Sequence, residues 1–295
     1  MDKLALDSHA KLNLYLEVLN KRKDGYHNIK TLFERISLHD QIVLKSRKDK
    51  AIRIICSSPL VPRDNTNIAS RAARLLQNTL RINKGVDIKI IKRIPLASGL
   101  AGGSSNAATV LVGLNRLWKL NLTRQKLVEL AQELGSDVPF FIYNCPFALG
   151  ESRGERIRPE NSLKHVRLWH ILVVPKLNVS TAKVYKAWDR LKNSRKAQLT
   201  RPKYDVKILT SALRRNALSI IGRALFNSLE PVTAKLYSEV VILKESLRIL
   251  GLKSILMSGS GPAIFGIVSS RKEAVRLYRG LRKNRFLEVF VTRTR

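Results

Sequence analysis

Apolar and polar residues alternate through 9–18, and this period of two predicts a first strand that carries Lys11 and Asn13 on the same side. Lys21-Arg22-Lys23-Asp24-Gly25 follows as a polar turn, with Asp-Gly supplying the reversal. Ile42-Val43-Leu44 and Ile52-Arg53-Ile54-Ile55 flank a charged loop and read as an antiparallel hairpin. Asn65-Thr66-Asn67 can cap a helix whose apolar positions are Ile68, Ala72, Leu75, Leu76 and Leu80. The alternating β-branched run 86–91 predicts another strand. Beyond it, Ala107, Val110, Leu111, Leu114, Leu117 and Trp118 recur at the spacing of one helix face. Thr123 caps a further helix through Leu127, Leu130, Ala131 and Leu134, which Gly135 ends; Asp137 lies in a short turn just beyond.

Residues 151–167 are charged and loosely patterned, and the domain boundary is placed there, giving 1–160 and 161–295. Leu172-Val173-Val174-Pro175 reads as a strand, and the Lys-, Arg- and Asn-rich stretch 189–204 as a solvated linker or flap. Two short helices are expected in 205–226. Pro231 suits a first helical turn, and Leu236, Val240, Leu243, Leu247 and Leu250 carry that helix to Gly251. Strands at 254–257 and 263–268, a helix at 271–283 and a strand at 287–292 complete an α+β second half with the strand–helix–strand–strand–helix–strand order of a ferredoxin-like fold.

The stretch Pro95-Leu96-Ala97-Ser98-Gly99-Leu100-Ala101-Gly102-Gly103-Ser104-Ser105 joins the strand at 86–91 to the helix after it. Glycine lets a backbone approach a ligand closely, and the first N–H groups of a helix have no partner inside it. With the positive end of the helix dipole and two serine hydroxyls, such a turn can bind an anion, above all a phosphate chain. The plainer reading is a flexible turn feeding a helix. No Gly-Lys-[Ser/Thr] follows, so this is not a Walker A loop, and the dinucleotide pattern Gly-x-Gly-x-x-Gly is absent.

The totals narrow the class. The 295 residues suffice for two domains with real cores, and 44% hydrophobic residues argue for a globular chain. No apolar run approaches a membrane span, and the N-terminus is too acidic and too poor in apolar residues for a signal peptide. Cys56 and Cys145 lack metal-ligand or Cys-x-x-Cys spacing, which points to a reducing cytoplasm. The net charge of +33 is first suggestive of nucleic acid, yet it is spread along the chain with no recognisable nucleic-acid motif. It reads as a basic solvated surface with incidental adhesion to nucleic acid at low salt. His9, His39, His165 and His170 lack ligand spacing and read as structural.

The glycine-serine stretch, continued by Asn106-Ala107-Ala108, resembles the ATP-binding loop of the GHMP kinases, the family of galactokinase, homoserine kinase and mevalonate kinase. Ala10-Lys11-Leu12-Asn13-Leu14 resembles the family's N-terminal block, and Met257-Ser258-Gly259-Ser260-Gly261-Pro262-Ala263 its C-terminal one. Lys23-Asp24-Gly25-Tyr26-His27, 135–141 and 179–185 are similar to the branch that acts on a cytidine diphosphate carrying a methylerythritol. The resemblance implies a two-domain GHMP kinase fold, with an N-terminal half like ribosomal protein S5 domain 2. It also implies ATP as co-substrate, Mg²⁺ beside it, and phosphorylation of the polyol 2-hydroxyl in the non-mevalonate route to isoprenoid precursors. Asp137 then stands at the position of the base and Lys11 at that of the cation steadying it. Tyr26 and Tyr185 match the aromatic pair around cytosine, and His27 the group reading its edge. Asn13 and Thr181 match positions on the sugar-alcohol and pyrophosphate side, and Gly259, Ser260 and Gly261 a turn facing phosphate or polyol. No protein ligand for Mg²⁺ is assigned; Ser105 is a candidate. Ala97 and Ala101 stand where relatives often have glycine, which is tolerable if φ stays negative there, and Asn106 stands where relatives can carry aspartate. Monomer and homodimer both stay open.

Overall fold

The alternating run near the N-terminus extends further than its pattern indicates. In the computed structural model, which describes residues 2–192 and 201–295, β1 covers Lys3–Lys21 and pairs antiparallel with β2 (His27–Arg47) across the Gly25 turn. The chain continues through β3 (Ile52–Cys56), α1 (Ile68–Leu80), β4 (Gly85–Ile91), α2 (Gly102–Leu117), α3 (Arg124–Leu134), α4 (Val138–Tyr143), β5 (Phe147–Glu151) and β6 (Arg156–Pro159). The second half comprises β7 (Trp169–Pro175), α5 (Thr181–Lys192), α6 (Val206–Arg214), α7 (Leu218–Ala224) and β8 (Phe226–Asn227), then α8 (Glu230–Leu236) and α9 (Ser238–Ile249). It closes with β9 (Ser254–Met257), β10 (Ile264–Val268), α10 (Arg271–Leu281) and β11 (Leu287–Arg293).

Two sheets result. The first runs β3-β4-β2-β1-β8, with β5 paired to β2 and β6 to β5; the second runs β11-β7-β10-β9, the order of a ferredoxin-like half. The expected caps are present, Asn67 accepting from Ala69 N–H and Thr123 from Lys126 N–H.

Four expectations need correction. Residues 42–44 and 52–55 do not form a hairpin, because β4 lies between them, antiparallel to β2 and parallel to β3. The loosely patterned 151–167 contains β6, paired with β5. The single helix expected from Pro231 to Gly251 is two helices, broken at Tyr237, whose backbone is extended (φ −138°, ψ 98°). Of the supposed linker, 189–192 form the last turn of α5, while 193–200 lie outside the described residues.

One core lies between the first sheet and α1–α3, around Leu44, Ile88, Leu111 and Leu114, and another packs α5 and α8–α10 on the second sheet around Val184, Leu247, Ile264 and Leu277. A third is shared, since Leu12, Leu14 and Leu32 pack with Leu172, Leu209 and Phe265. β1 is therefore covered on both faces, and Lys11 and Asn13 are buried rather than solvated. The halves are also stitched by backbone, with β8 joining β1 and Arg295 N–H donating to Arg35 O (2.8 Å).

The tightest junction is between two glycine turns. Ala263 N–H donates to Ser98 O (3.1 Å) and the Ser258 hydroxyl donates to Gly99 O (3.1 Å). Gly99 has φ +80°, and a Cβ there would sit 2.2 Å from Ser258 O; Gly25 has φ +84° but nothing within 4 Å. Gly25→Ala is expected to cost only left-handed strain, about 1 kcal/mol, and Gly99→Ala about 3 kcal/mol because overpacking against backbone is added. Urea unfolding of both variants checks this; equal losses would show that the two turns do not clasp.

Candidate active site

Between the two halves opens a cleft of about 920 Å³. Its floor is the mouth of α2. The residue before this sixteen-residue helix, Ala101, makes no side-chain cap, and its first turn holds no acidic residue. Gly102, Gly103 and Ser104 line the cleft there. Their N–H groups and the positive end of the dipole form an anion site with no side chain competing for it. Gly103 is not required by packing, because an added Cβ would meet only Ile68 Cγ2 at 3.5 Å, an ordinary contact. Ala97 and Ala101 have φ +48° and +55°, so the expectation of negative φ at these alanines is wrong; both hold left-handed conformations. Neighbouring bonds keep them there, Lys11 N–H donating to Leu100 O (3.2 Å) and the Ser98 hydroxyl to Pro95 O (2.8 Å).

The helix is anchored from below by a buried polar network. Asn106 Nδ2 donates to Ser8 Oγ (2.9 Å) and to Asp40 Oδ2 (3.0 Å), and the Ser8 hydroxyl donates to Ser105 Oγ (2.8 Å). Asp40 also accepts from Arg93 N–H, Ile94 N–H and Lys92 Nζ at 2.7–2.8 Å. An amide at 106 can donate to Asp40, which an ionised carboxylate could not.

Beside the α2 mouth, Lys11 Nζ stands 3.6 Å from Asp137 Oδ2 and donates to Asn13 Oδ1 at 2.6 Å. Lys11 is 4% exposed, whereas the Asp137 side chain keeps 34% of its surface open to the cleft. Burial pushes the Lys11 ammonium below its usual range, and the Asp137 charge opposes this. The ammonium also lies 5.2 Å over the Phe33 ring. Asn13 is held in turn, since its Nδ2 donates to Thr31 Oγ1 (2.8 Å) and its N–H to Ser258 Oγ (3.2 Å). Asp137 is not in an isolated turn as expected but is the residue before α4, with Pro139 in that helix's first turn.

At the other end of the cleft the rings of His27 and Tyr185 stack, centroids 5.0 Å apart and 24° from parallel, and Trp188 meets His27 edge-on. Tyr26 is 54% exposed beneath the Arg153 guanidinium, 5.0 Å away. Burial, helped by the Asp137 charge, pushes the Tyr185 phenol well above its usual range and keeps it a neutral donor. His27 Nε2 lies 2.7 Å from Asp189 Oδ1, and Lys21 Nζ is 2.7 Å from Asp189 Oδ2. The Thr181 and Ser260 hydroxyls are 2.8 Å apart, tying the start of α5 to the second glycine turn.

The cleft thus gathers Lys11, Asn13, Tyr26, His27, Asp137, Thr181, Tyr185, Gly259 and Ser260 with most of the 95–104 loop. Leu100, Ser105 and Gly261 are not in its lining: Leu100 and Ser105 are buried, and Gly261 N–H donates back to Ser258 O (3.0 Å). Sequence reasoning missed Asp189, Lys92 and Arg153, which also line it. Asp189 had a signal, four residues after Tyr185 and so on the same helix face. Lys92 and Arg153 had none.

Among the described residues, no three His, Cys, Asp or Glu side chains gather to hold a metal. Of the cleft-lining residues only Asp137 and Asp189 are acidic, and Asp189 is engaged by Lys21 and His27. Such a sparse donor set fits Mg²⁺, which is usually held by phosphate oxygens and water with one or two protein donors.

Residues 67–145 match the family described as GHMP kinases N terminal domain, and residues 209–286 that described as GHMP kinases C terminal. The 4-diphosphocytidyl-2-C-methyl-D-erythritol kinase of Acetivibrio thermocellus is 40% identical over 294 residues, covering 100% of each chain. That of Geobacillus kaustophilus is 43% identical over 281 residues, covering 95% of this chain and 93% of its own. A crystal structure of 4-(cytidine 5'-diphospho)-2C-methyl-D-erythritol kinase superposes with a TM-score of 0.80 at 33% identity, covering 98% and 99% of the two chains. Mevalonate kinase of L. major shares the fold at 18% identity, TM-score 0.76, covering 100% and 97%. The chain belongs to the GHMP kinases and, within them, to the family of the 4-diphosphocytidyl-2-C-methyl-D-erythritol kinases.

Proposed function

We propose that this kinase transfers the γ-phosphoryl group of ATP to the 2-hydroxyl of 4-diphosphocytidyl-2-C-methyl-D-erythritol, in the non-mevalonate route to isoprenoid precursors. The observation that carries the mechanism is the Lys11–Asp137 pair, 3.6 Å apart at the edge of an uncapped helix mouth. Phosphoryl transfer asks a protein mainly for positioning and charge neutralisation, with one group to accept the alcohol proton. The N–H groups of Gly102, Gly103 and Ser104 bind the phosphate chain. Asp137 takes the 2-hydroxyl proton as that oxygen attacks the γ-phosphorus, and the bond to ADP breaks. Lys11 keeps Asp137 ionised, and through its bond to Asn13 it has one fixed place. Bound Mg²⁺ neutralises phosphate charge and would take the Ser104 hydroxyl as its protein donor. The Tyr185–His27 end receives the cytosine, with Tyr26 on the open side and the Thr181–Ser260 pair toward the diphosphate. The setting is a reducing cytoplasm, in keeping with two unpaired cysteines; no helix among the described residues is long and apolar enough to cross a membrane.

Asp137→Asn is expected to lower kcat by about 10³-fold, the scale of a lost general base. Its ATP affinity should stay within about twofold, since the phosphates rest on α2. A coupled ADP-release assay with parallel calorimetry tests both; normal turnover would remove Asp137 from the mechanism. Gly103→Ala is expected to leave the melting temperature unchanged and raise KM for ATP about tenfold, the equivalent of ~1.4 kcal/mol. An unchanged KM would show that no phosphate approaches that backbone. With a panel of alcohols, ADP release should require the cytidylyl substrate, whereas turnover on homoserine or mevalonate alone would refute the substrate assignment.

A further inference from the structure

A second, smaller pocket of about 360 Å³ lies outside the catalytic cleft and shares no lining residue with it. His9, Arg35, Asn144, Arg167, Arg293 and Arg295 surround it, and no acidic side chain lines it. Arg35 forms its half-buried base, while Arg167, Arg293 and Arg295 are exposed around it. Much of the chain's +33 charge sits on solvated side chains, where like charges cost little. Here four guanidiniums converge on a concavity. Burial holds the Arg35 guanidinium below its usual range, Arg295 adds to this, and no carboxylate acts on it. His9 is driven down to about 4 by burial first, then by Arg35, His39 and Arg295, with Asp7 alone opposing.

A partly buried charge is normally paired, and one left without a counter-charge points to a missing partner. Arg35 is held for such a partner: it donates through Nη1 to Asn144 Oδ1 and through Nε to the main-chain oxygen of Arg295 (3.2 Å), which leaves Nη2 outside these bonds. Arg167 is fixed by bonds from its Nη1 to the Lys164 and Val166 carbonyls (2.8 Å each). Guanidinium forks match phosphate oxygens two at a time, and a basic concavity concentrates the field on them. Apart from the imidazole of His9 no ring lines the pocket, and its wall is almost wholly polar, so neither a nucleobase nor a lipid chain finds a surface there.

We propose that this arginine pocket is a second anion site that takes a small phosphate-class ligand, with inorganic diphosphate as the species matched to four forks. It lies one short helix from the chemistry, because Asn144 ends α4 and Asp137 precedes it.

The test uses the full chain with its catalytic cleft filled by a non-hydrolysable ATP analogue and cytidine diphosphate. Inorganic diphosphate is titrated by calorimetry, and the His9 ring resonance is followed by NMR. One further diphosphate per chain should bind, and the His9 midpoint should move upward from about 4, because a bound anion favours the imidazolium. Arg167→Ala and Arg295→Ala, on the exposed side, should each weaken binding about tenfold; Arg35→Gln should abolish it, and the two exposed variants keep the test informative if Arg35→Gln misfolds. An unmoved His9, or binding equal in wild type and both exposed variants, would reduce the effect to general adhesion of anions to a basic surface and overturn the site.

Discussion

A buried ammonium is the constraint around which the catalytic centre is arranged. Lys11 sits on a strand covered on both faces, and an unpartnered charge there would cost several kcal/mol. Its compensation comes from three directions: the Asn13 amide oxygen, the Asp137 carboxylate and the face of Phe33. Each partner is itself fixed. Asn13 is held by Thr31 and Ser258, and Phe33 packs on Phe140 inside α4, the helix that Asp137 precedes. Satisfying one buried charge therefore aims the carboxylate that does the chemistry. Position and protonation state are set by the same contacts, so stability and catalysis cannot be separated at Lys11.

The second consequence concerns the two halves. Neither glycine turn is a complete site alone. The 95–104 loop relies on Ser258 and Ala263 for bonds at Gly99 and Ser98, and the 258–262 turn is held by Asn227, whose amide donates to Met257 O and Gly259 O at 2.8 Å. Asn227 lies in β8, the two-residue strand that joins the sheet of the first half. Ser258 Oγ accepts from Asn13 N–H and donates to Gly99 O, touching all three sequence blocks of the site at once. The cleft exists only when both halves are docked, which couples phosphate binding to the shared core.

What could be read from the sequence was local. Strand alternation, helix caps at Asn67 and Thr123, the Asp-Gly reversal and the common side of Lys11 and Asn13 depend on neighbours a few residues away. The insertion of β4 between β2 and β3 could not be read, because strand partners are chosen by long-range packing. Nor could the break at Tyr237. Leucine spacing runs straight through it, yet α8 is tied to the second glycine turn by Thr233 and Glu230 while α9 packs on β9 and β10. The site was legible where the family blocks carried it. Asp189 was hidden because its role arises only when the ends of β1 and β2 meet α5.

The two left-handed alanines show how the loop itself works. A Cβ in that conformation costs roughly 1–2 kcal/mol per residue, and glycine would avoid it. The strain persists because the surrounding bonds over-determine the backbone, through Lys11 to Leu100, Ala263 to Ser98, and Ser98 to Pro95. Glycine at 97 and 101 would also enlarge the set of conformations lost when a phosphate chain is gripped. Alanine narrows that set beforehand. Part of the ordering cost of ligand binding is thereby shifted to folding, where the shared core and the clasped turns can absorb it. The helix mouth then meets the nucleotide with its donors already aligned, which is the form of electrostatic assistance that demands least rearrangement during the reaction.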